Sequence, residues 1–353
     1  MTSAEHGEWR SFPDRVIADL ATAAHAATVV VGDRLGLYRA LAETGPATPA
    51  EVAASAECDE RYVIEWLNAQ AAAGYCGYEE STGRFFLTAE QAACLADEGG
   101  TRFLVPGMLV AAALFRAEAR LADAFRDGSG VPWADHDDDL FDGIGRFLRS
   151  RYRSNLVGDW IEGLPGVSAR LAAGGRVADV GCGRGAAAIL LAKAYPAASV
   201  VGFDPHRPSV EAARKAAVES GVGERVTFEE ASAQDFPGTD YDLVCTLNML
   251  HDLGDPLAAA GRIRAALGPD GAWLLVEPMA GECVRDNLND VGRLFYSASA
   301  LVCTPNARAQ PGGWALGAQA TEAQLRGMCE RAGFTGFRRT AGTRLHRVFE
   351  VRP

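Results

Sequence analysis

The second half of the chain alternates between short β-rich runs and longer helical segments. Seven runs predict strands, at 176–180, 199–203, 226–228, 242–247, 272–276, 337–340 and 346–351. Four segments predict helices, at 186–194, 209–220, 256–267 and 321–332. Alternating strands and helices form a parallel sheet with right-handed crossovers, whereas the short turn at 341–343 joins the last two strands antiparallel. The pattern predicts an α/β fold with a seven-stranded sheet, parallel except for a C-terminal hairpin.

The first 105 residues follow a helical pattern instead. Apolar residues recur at helical spacing over 17–31, and Thr48 and Asp59 stand where two further helices need N-caps. The second of these helices, at 59–73, precedes two β-rich runs around Ser81-Thr82-Gly83, which predict a hairpin. Helix, helix and hairpin is the order of a winged helix.

The chain therefore divides into three predicted parts. Residues 1–105 form a winged-helix-like domain, and 106–165 form a helical connector that contributes to a substrate pocket. Residues 166–353 form the sheet domain, whose 278–320 insertion is longer than a simple connection needs. With 353 residues, 48% of them hydrophobic and 23% charged, the chain can build two globular cores.

Charge weighs against nucleic acid as a partner of the winged helix. The net charge of −12 disfavours general binding to nucleic acid or to anionic membranes. The predicted recognition helix sets Asp59, Glu60 and Glu65 against Arg61 alone, which leaves no cluster for phosphate contacts. We therefore expect no nucleic-acid and no membrane partner, and we expect apolar faces of this domain to form a homodimer.

Cysteine spacing and the N-terminus indicate a cytoplasmic protein. None of the eight cysteines forms a C-x-x-C pair, and several lie in apolar runs, which is typical of reduced, buried thiols. The N-terminus is polar, and the longest apolar stretches are short and interrupted, so we expect neither a signal sequence nor a membrane span. We also expect no metal, and we assign His136, among four aspartates, to a solvated acidic turn.

A glycine-rich loop follows the first strand of the sheet domain. Gly181-Cys182-Gly183-Arg184-Gly185 precedes a helix, so that the glycines allow a tight turn and the helix N-terminus offers free N–H groups. This spacing alone also fits a dinucleotide fingerprint. Asp179 distinguishes the ligands, because a carboxylate beside the loop repels a pyrophosphate and attracts the ammonium of an amino-acid ligand.

Two further strand ends carry polar groups. Asp204 ends the second strand, where a carboxylate binds ribose hydroxyls, and 232–235 follow the third, where polar groups meet an adenine edge. Polar groups at three successive strand ends are hard to obtain from packing alone. The sequence thus predicts a ligand with an amino-acid tail and a nucleoside.

These motifs resemble those of class I methyltransferases that depend on S-adenosylmethionine (SAM). With the winged helix, the resemblance extends over most of the chain and is strongest to dimeric actinobacterial small-molecule methyltransferases, which are related to plant phenolic O-methyltransferases. It implies a Rossmann-like sheet, SAM as cofactor and a role in secondary metabolism. The implied cofactor contacts are Asp179, Gly181, Cys182, Gly183, Asp204, Pro205, Ser232, Ala233, Gln234, Asp235, Leu247 and Asn248.

The loop after the fourth strand carries candidate catalytic residues. Loops at the carboxyl ends of strands line the ligand crevice, which places His251 near the transferred methyl group. An imidazole accepts a proton near neutral pH, and Asp252 or Glu277 can orient it. The pair is similar to the His-Asp of plant O-methyltransferases, but Leu253 replaces their tryptophan and Asn248 replaces an acid of bacterial relatives. A second interpretation stays open, in which His251 only shapes the pocket.

The 278–320 insertion is predicted to be a substrate lid. Its segment 287–300 has helical spacing, and a glycine-rich piece follows at 311–314. Five aromatic residues are predicted to wall the acceptor: Tyr152, Trp160, Phe295, Tyr296 and Trp314. Packing of a core explains the same aromatics equally well.

The sequence therefore predicts SAM-dependent methyl transfer to an O or N nucleophile of a small, partly aromatic or apolar metabolite. Three alternatives stay open. They are a SAM-binding enzyme that catalyses a cyclisation or elimination without methylation, a non-enzymatic winged-helix regulator, and a nicotinamide oxidoreductase.

Overall fold

The structure, a computed structural model, describes residues 11–353, and the chain divides into two compact units between Ala112 and Ala113. The first ten residues, on which the expectation about a signal sequence rests, lie outside the described residues. The predicted boundaries at 105 and 165 stay predictions, since the observed division falls within a single helix, Pro106–Arg116.

The first unit is mainly helical. Its elements are α1 (Phe12–Arg34), α2 (Leu37–Thr44), α3 (Pro49–Ser55), α4 (Glu60–Ala72), β1 (Gly77–Glu79), β2 (Arg84–Phe86), α5 (Ala89–Leu95) and the start of α6 (Pro106–Arg116). Thr48 forms a capping box with Glu51, and Asp59 accepts hydrogen bonds from the first turn of α4. The strands pair antiparallel. The predicted caps, and the order of helix, helix and hairpin, are confirmed.

A buried amide joins α1 to α4 in this unit. Gln70 has no exposed surface and bonds His25, Thr28 and the Tyr38 hydroxyl. Trp66 donates to the Thr28 carbonyl and packs where α1 carries a glycine. Because every polar atom of such a side chain needs a partner, these bonds fix the position of α1.

The N-terminal half of α1 is exposed and carries several apolar residues. Phe12, Ile17 and Leu20 keep 75%, 64% and 65% of their surface in solvent. The helix has 23 residues, longer than the sequence pattern predicted, and among the described residues it alone has the length and hydropathy of a membrane-crossing helix. A helix that a partner subunit covers has the same features.

The second unit contains a sheet with helices on both faces. Its strands are β3 (Arg176–Val180), β4 (Ser199–Asp204), β5 (Val226–Glu230), β6 (Tyr241–Leu247), β7 (Leu267–Pro278), β8 (Gly336–Gly342) and β9 (His346–Arg352). Its helices are α7 (Glu118–Asp127), α8 (Asp138–Asn155), α9 (Val167–Ala172), α10 (Ala186–Ala194), α11 (Arg207–Glu219), α12 (Pro256–Ala266), α13 (Asp290–Ala298), α14 (Thr304–Arg308) and α15 (Glu322–Arg331).

The strand order is β5-β4-β3-β6-β7-β9-β8. The first five strands in this order run parallel, and β9 inserts antiparallel between β7 and β8. The predicted seven-stranded sheet with a C-terminal hairpin is confirmed.

Both faces of the sheet are buried. Alternate residues such as Leu243 and Leu274 pack against α9, α10 and α11, whereas their neighbours Val244 and Leu275 pack against α12 and α15. Helices thus cover the sheet, and a ligand reaches its backbone at the carboxyl ends of the strands.

Two local predictions need correction. His136 is buried against the Trp133 ring and does not lie in a solvated turn, although Asp137 caps α8 as expected. The helix predicted at 287–300 begins at Asp290 and continues through a π-helix, Ser299–Cys303, into α14. Before the sheet, α8 begins at Asp138 and passes into another π-helix, Leu156–Ile161.

Candidate functional site

A cavity of about 660 Å³ lies in the second unit at the carboxyl ends of the parallel strands. Its size is ordinary for a pocket that holds small molecules. Eleven of the twelve predicted cofactor residues line it: Gly181, Cys182, Gly183, Asp204, Pro205, Ser232, Ala233, Gln234, Asp235, Leu247 and Asn248. The structure brings these residues together, and their contacts with a cofactor stay a prediction.

The glycine loop forms one wall through backbone that only glycine adopts easily. Gly181, Gly183 and Gly185 have φ angles of 74°, 51° and 78°. A Cβ on Gly185 would lie 2.7 Å from the Phe228 ring, whereas a Cβ on Gly183 would meet no atom within 4 Å. Gly185 therefore serves packing, and Gly183 leaves open space for a ligand to approach.

Asp204 joins this loop to the end of β4. Its two carboxylate oxygens accept hydrogen bonds of 2.9 Å from the N–H groups of Gly183 and His206. Burial raises the pKa of Asp204 above its ordinary value, although these two N–H groups oppose the shift. The carboxylate also lines the cavity, so one side chain both shapes the loop and faces a ligand.

Asp179 lies beneath the loop and not in the cavity wall. Its carboxylate is fully buried and accepts a bond from the Ala188 N–H in the first turn of α10. Burial raises its pKa to about 7, with a further contribution from Asp204 and an opposing one from the Ala188 N–H. In the structure, Asp179 thus bonds the first turn of α10. Its attraction for the ammonium group of a ligand stays a prediction.

The loop after β5 is held by its own polar groups. The Ser232 hydroxyl donates to Asp235 at 2.8 Å, and the Gln234 amide donates to the Asp255 carbonyl at 3.4 Å. These bonds order the segment after β5, which borders the cavity beside the end of β4 that carries Asp204.

The three predicted catalytic residues form one cluster. The His251 Nδ1–H donates to Glu277 Oε2 at 2.7 Å, and the Leu250 N–H donates to the other oxygen of Glu277. His251 Nε2 lies 3.3 Å from Asp252 Oδ1. Within this cluster Asp252 lines the cavity, whereas His251 and Glu277 are buried behind it.

The charges of the cluster act on one another. Burial alone lowers the pKa of His251, but the negative charges of Asp252 and Glu277 outweigh burial and raise it well above its ordinary value. Burial raises the pKa of Asp252, and the imidazole opposes this shift. The Cys303 sulfur, which the sequence patterns did not indicate, lies within 4.8 Å of a ligand atom of each of these two residues. The protonation states of His251 and Asp252 are therefore coupled.

One of the five predicted acceptor-contacting aromatics lines the cavity. Tyr152 does so, and its hydroxyl lies 3.5 Å from the Leu247 carbonyl. Trp160 packs in the core against the rings of Tyr152 and His346. The aromatics of the insertion lie elsewhere: Phe295 is half-buried outside the cavity lining, Tyr296 contacts Asn287, and Trp314 lies under the Arg331 guanidinium.

Other residues take the place of those aromatics. The apolar part of the wall comes from Trp133, Phe141, Ile144, Leu148, Met249 and Leu253. The insertion reaches the cavity through Asn306, Gln310, Pro311 and Gly312. Phe141, Ile144, Leu148 and Tyr152 recur at helical spacing on α8, a signal from which this wall was predictable.

Comparisons with known proteins agree with this architecture. The sequence model of a family described as "Methyltransferase domain" matches residues 177–271, and that of an "Rv2258c-like winged HTH domain" matches 23–97. The predicted methyltransferase sheet and winged helix are therefore confirmed.

Curated relatives match part of the chain. The chain is 34% identical over 131 residues to the 27-O-demethylrifamycin SV methyltransferase of Amycolatopsis mediterranei and 32% identical over 169 residues to the acetylserotonin O-methyltransferase of Mus musculus. These alignments cover 35% and 46% of this chain and 48% and 40% of the two relatives. The chain thus spans less than half the length of these relatives.

A solved structure matches over nearly the whole chain. Human N-acetylserotonin methyltransferase in complex with SAM superposes with a TM-score of 0.73 at 19% identity, covering 98% of this chain and 99% of that one. At this identity the likeness establishes a shared fold.

The two glycine positions predict different effects of one added methyl group. Gly185→Ala should lower the free energy of unfolding by about 2 to 4 kcal/mol, because the new Cβ combines left-handed backbone strain with a clash against Phe228. Gly183→Ala carries the strain alone and should cost about 1 kcal/mol. Urea denaturation of the ligand-free protein measures both, and equal losses would contradict the assignment of Gly185 to packing.

Proposed function

We propose, for a chain that carries a methyltransferase domain and a winged helix-turn-helix domain, that the protein is a SAM-dependent methyltransferase. Its acceptor is a hydroxyl oxygen of a small, largely apolar molecule. The observation that carries this proposal is that one cavity joins the glycine loop and Asp204 to the Asp252 side of the catalytic cluster.

The residues of the cavity fit SAM. Gly183 leaves open space beside the loop, Asp204 keeps a carboxylate at the wall, and 232–235 supply polar groups at a third strand end. When bound, SAM supplies a methyl group on a sulfonium sulfur, which is a good leaving group. The chain has to hold the nucleoside, align the acceptor and exclude water.

The buried charge of Asp179 supports a cationic amino-acid tail at the loop. The pKa of Asp179 is about 7 because the carboxylate is buried and no positive group among the causes of the shift offsets the cost of burying its negative charge. When SAM is bound, the positive charge of its ammonium group near the loop balances the negative charge of Asp179, even without direct contact between the two groups.

The catalytic cluster accepts the proton of the acceptor's hydroxyl. The proton enters at Asp252, which borders the cavity, and His251 shares it from behind. Glu277 holds the Nδ1–H of the imidazole, so that Nε2 faces Asp252. General-base assistance of this kind contributes about a hundredfold or more to a rate.

The acceptor is a compact molecule with an apolar, planar body. The wall that α8 provides is aromatic and aliphatic, and Asn306 and Gln310 add neutral polar groups. The mouse relative is an acetylserotonin O-methyltransferase, which supports oxygen as the methylated atom. We place the reaction in secondary metabolism in the cytoplasm.

The subunits pair through α1. A helix that leaves Ile17 and Leu20 largely exposed buries them against a second copy of the chain. The exposed α4 surface offers Asp59, Glu60 and Glu65, which supports a protein partner over DNA.

Methyl transfer is tested with methyl-labelled SAM and a panel of phenols and other small hydroxyl compounds. Label should appear in the product, and His251→Ala should lower turnover at least a hundredfold while calorimetry shows unchanged SAM affinity. A loss of less than tenfold would leave His251 as a pocket wall. Unlabelled product would indicate a different SAM-assisted reaction, and heat with NADH but not with SAM would overturn the cofactor.

The affinity for SAM should depend on pH through Asp179. Between pH 6 and pH 8 this carboxyl changes from mostly protonated to mostly ionised, and the ionised form attracts the cationic ligand, so Kd should fall about tenfold. The groups that face Asp179 are Tyr152, Cys182, Asp204 and Cys245. Calorimetry at the two pH values measures this, and Asp179→Asn should abolish most of the change. A variant with the wild-type pH profile would assign the effect to another group.

The proposed dimer is tested by introducing a charged residue among the exposed apolar residues of α1. Leu20→Glu should convert a dimer into a monomer in analytical ultracentrifugation, because it places a carboxylate in the apolar interface. Thr22→Glu, on another side of the same helix, is the matched control and should stay dimeric. A wild-type protein that is monomeric, or that binds to added lipid vesicles, would contradict the proposal that α1 forms the dimer interface.

A further inference from the structure

A thiol completes the cluster around His251. His251, Asp252 and Cys303 each offer one ligand atom, and these atoms lie within 4.8 Å of one another. The first two come from the turn after β6, and Cys303 comes from the π-helix of the insertion. The fold thus brings an adjacent imidazole and carboxylate together with a thiol that lies about 50 residues later in the sequence.

This donor set is the one that zinc prefers. Imidazole nitrogen, thiolate sulfur and carboxylate oxygen are its usual protein ligands, and three of them with an open fourth position are typical of a reactive zinc site. Because Asp252 lines the cavity, the fourth position faces the cavity and a water molecule or an acceptor oxygen.

The surroundings of the imidazole support the same conclusion. Histidines that bind metals donate their second N–H to a carboxylate, which orients the ring. His251 donates Nδ1–H to Glu277 in this way, and its Nε2 lies on the side of Asp252. Asp252 Oδ1 is buried and has no hydrogen-bond partner among residues 11–353. A cation that displaces the shared proton can therefore contact both the imidazole nitrogen and this carboxylate oxygen.

The charges also favour a cation. Glu277 is fully buried and Asp252 is 16% exposed, so two carboxylates flank one imidazole away from bulk water. Zn²⁺ binding replaces the proton of the Cys303 thiol with a sulfur–zinc bond and the Nε2 proton that His251 shares with Asp252 with a nitrogen–zinc bond, and both protons are released to solvent. The bound ion then balances the thiolate and the Asp252 carboxylate.

We propose that His251, Asp252 and Cys303 form a site for a soft divalent cation, Zn²⁺, at the inner wall of the cavity. The bound ion takes the lone pair of the imidazole and the Asp252 oxygen, and thereby inhibits proton transfer from the acceptor. Binding itself is independent of the proposed methyl transfer, whereas inhibition rests on it.

The proposed site can be detected from the absorption spectrum of bound Co²⁺, which substitutes for Zn²⁺, without measuring turnover. The chelator-treated full-length protein, titrated with Co²⁺ in the absence of SAM, should bind one equivalent. It should develop a thiolate-to-cobalt band in the near ultraviolet and strong visible bands of four-coordinate cobalt. Cys303→Ser should remove the thiolate band, and His251→Ala should weaken the visible bands. Cys283→Ser, which changes an exposed cysteine outside the cluster, is the matched control and should behave as the wild type.

A second measurement uses the wild type alone, in case a variant fails to fold. Zn²⁺ titration against a chromophoric chelator should give a saturable Kd, with about two protons released per ion in a weakly buffered solution, one from the thiol and one from the imidazole. For variants that circular dichroism shows to be folded, Cys303→Ser should weaken Zn²⁺ binding at least a hundredfold. Weak six-coordinate cobalt spectra, no proton release, or a thiolate band that survives Cys303→Ser would overturn the site.

The effect on catalysis is measured separately. Added Zn²⁺ should inhibit transfer of labelled methyl groups over the same concentration range as its Kd, and a chelator should restore the rate. Cys303→Ser should make the enzyme resistant to Zn²⁺. A rate that rises with Zn²⁺ would overturn the inhibitory role, whereas an intact cobalt spectrum in a chain that transfers no methyl group would overturn the proposed function and leave the site standing.

Discussion

Three buried carboxylates at the ends of parallel strands hold the site together. Asp179, Asp204 and Glu277 are the last or next-to-last residues of β3, β4 and β7. Each accepts a hydrogen bond from backbone that follows one of the strands: the first turn of α10 for Asp179, the glycine loop for Asp204 and the turn after β6 for Glu277. A buried charge without partners costs several kcal/mol. The loops therefore adopt the conformations that bring their N–H groups to these oxygens, and the cavity is the space that remains between them.

This constraint links folding and chemistry. The bond from Gly183 to Asp204 demands a left-handed backbone at the loop, which explains the glycine there. The bond from Leu250 to Glu277 fixes the turn that carries His251 and Asp252. Residues that line the cavity are thus positioned by carboxylates that the strands bury.

The parts of the site that were predictable from the sequence are those encoded locally. Strand ends, a glycine turn and a carboxylate after the next strand are close in sequence to the elements that position them, and eleven of the predicted cofactor residues line the cavity. The acceptor wall was not found, because Trp160 and Trp314 look like ligand-binding aromatics in a linear sequence and pack elsewhere in the fold. Cys303 was missed for a related reason. Its meeting with His251 depends on how the insertion folds back over β6, which no spacing rule expresses.

The π-helix that carries Cys303 makes the position of its thiol sensitive to the length of the segment. A π-turn contains one residue more than an α-turn, and an α-helical register turns by about 100° per residue. Deleting one residue from Ser299–Cys303 would restore regular helix and rotate the thiol away from His251. The meeting of the sulfur atom with His251 therefore depends on the number of residues in this segment as well as on the identity of Cys303.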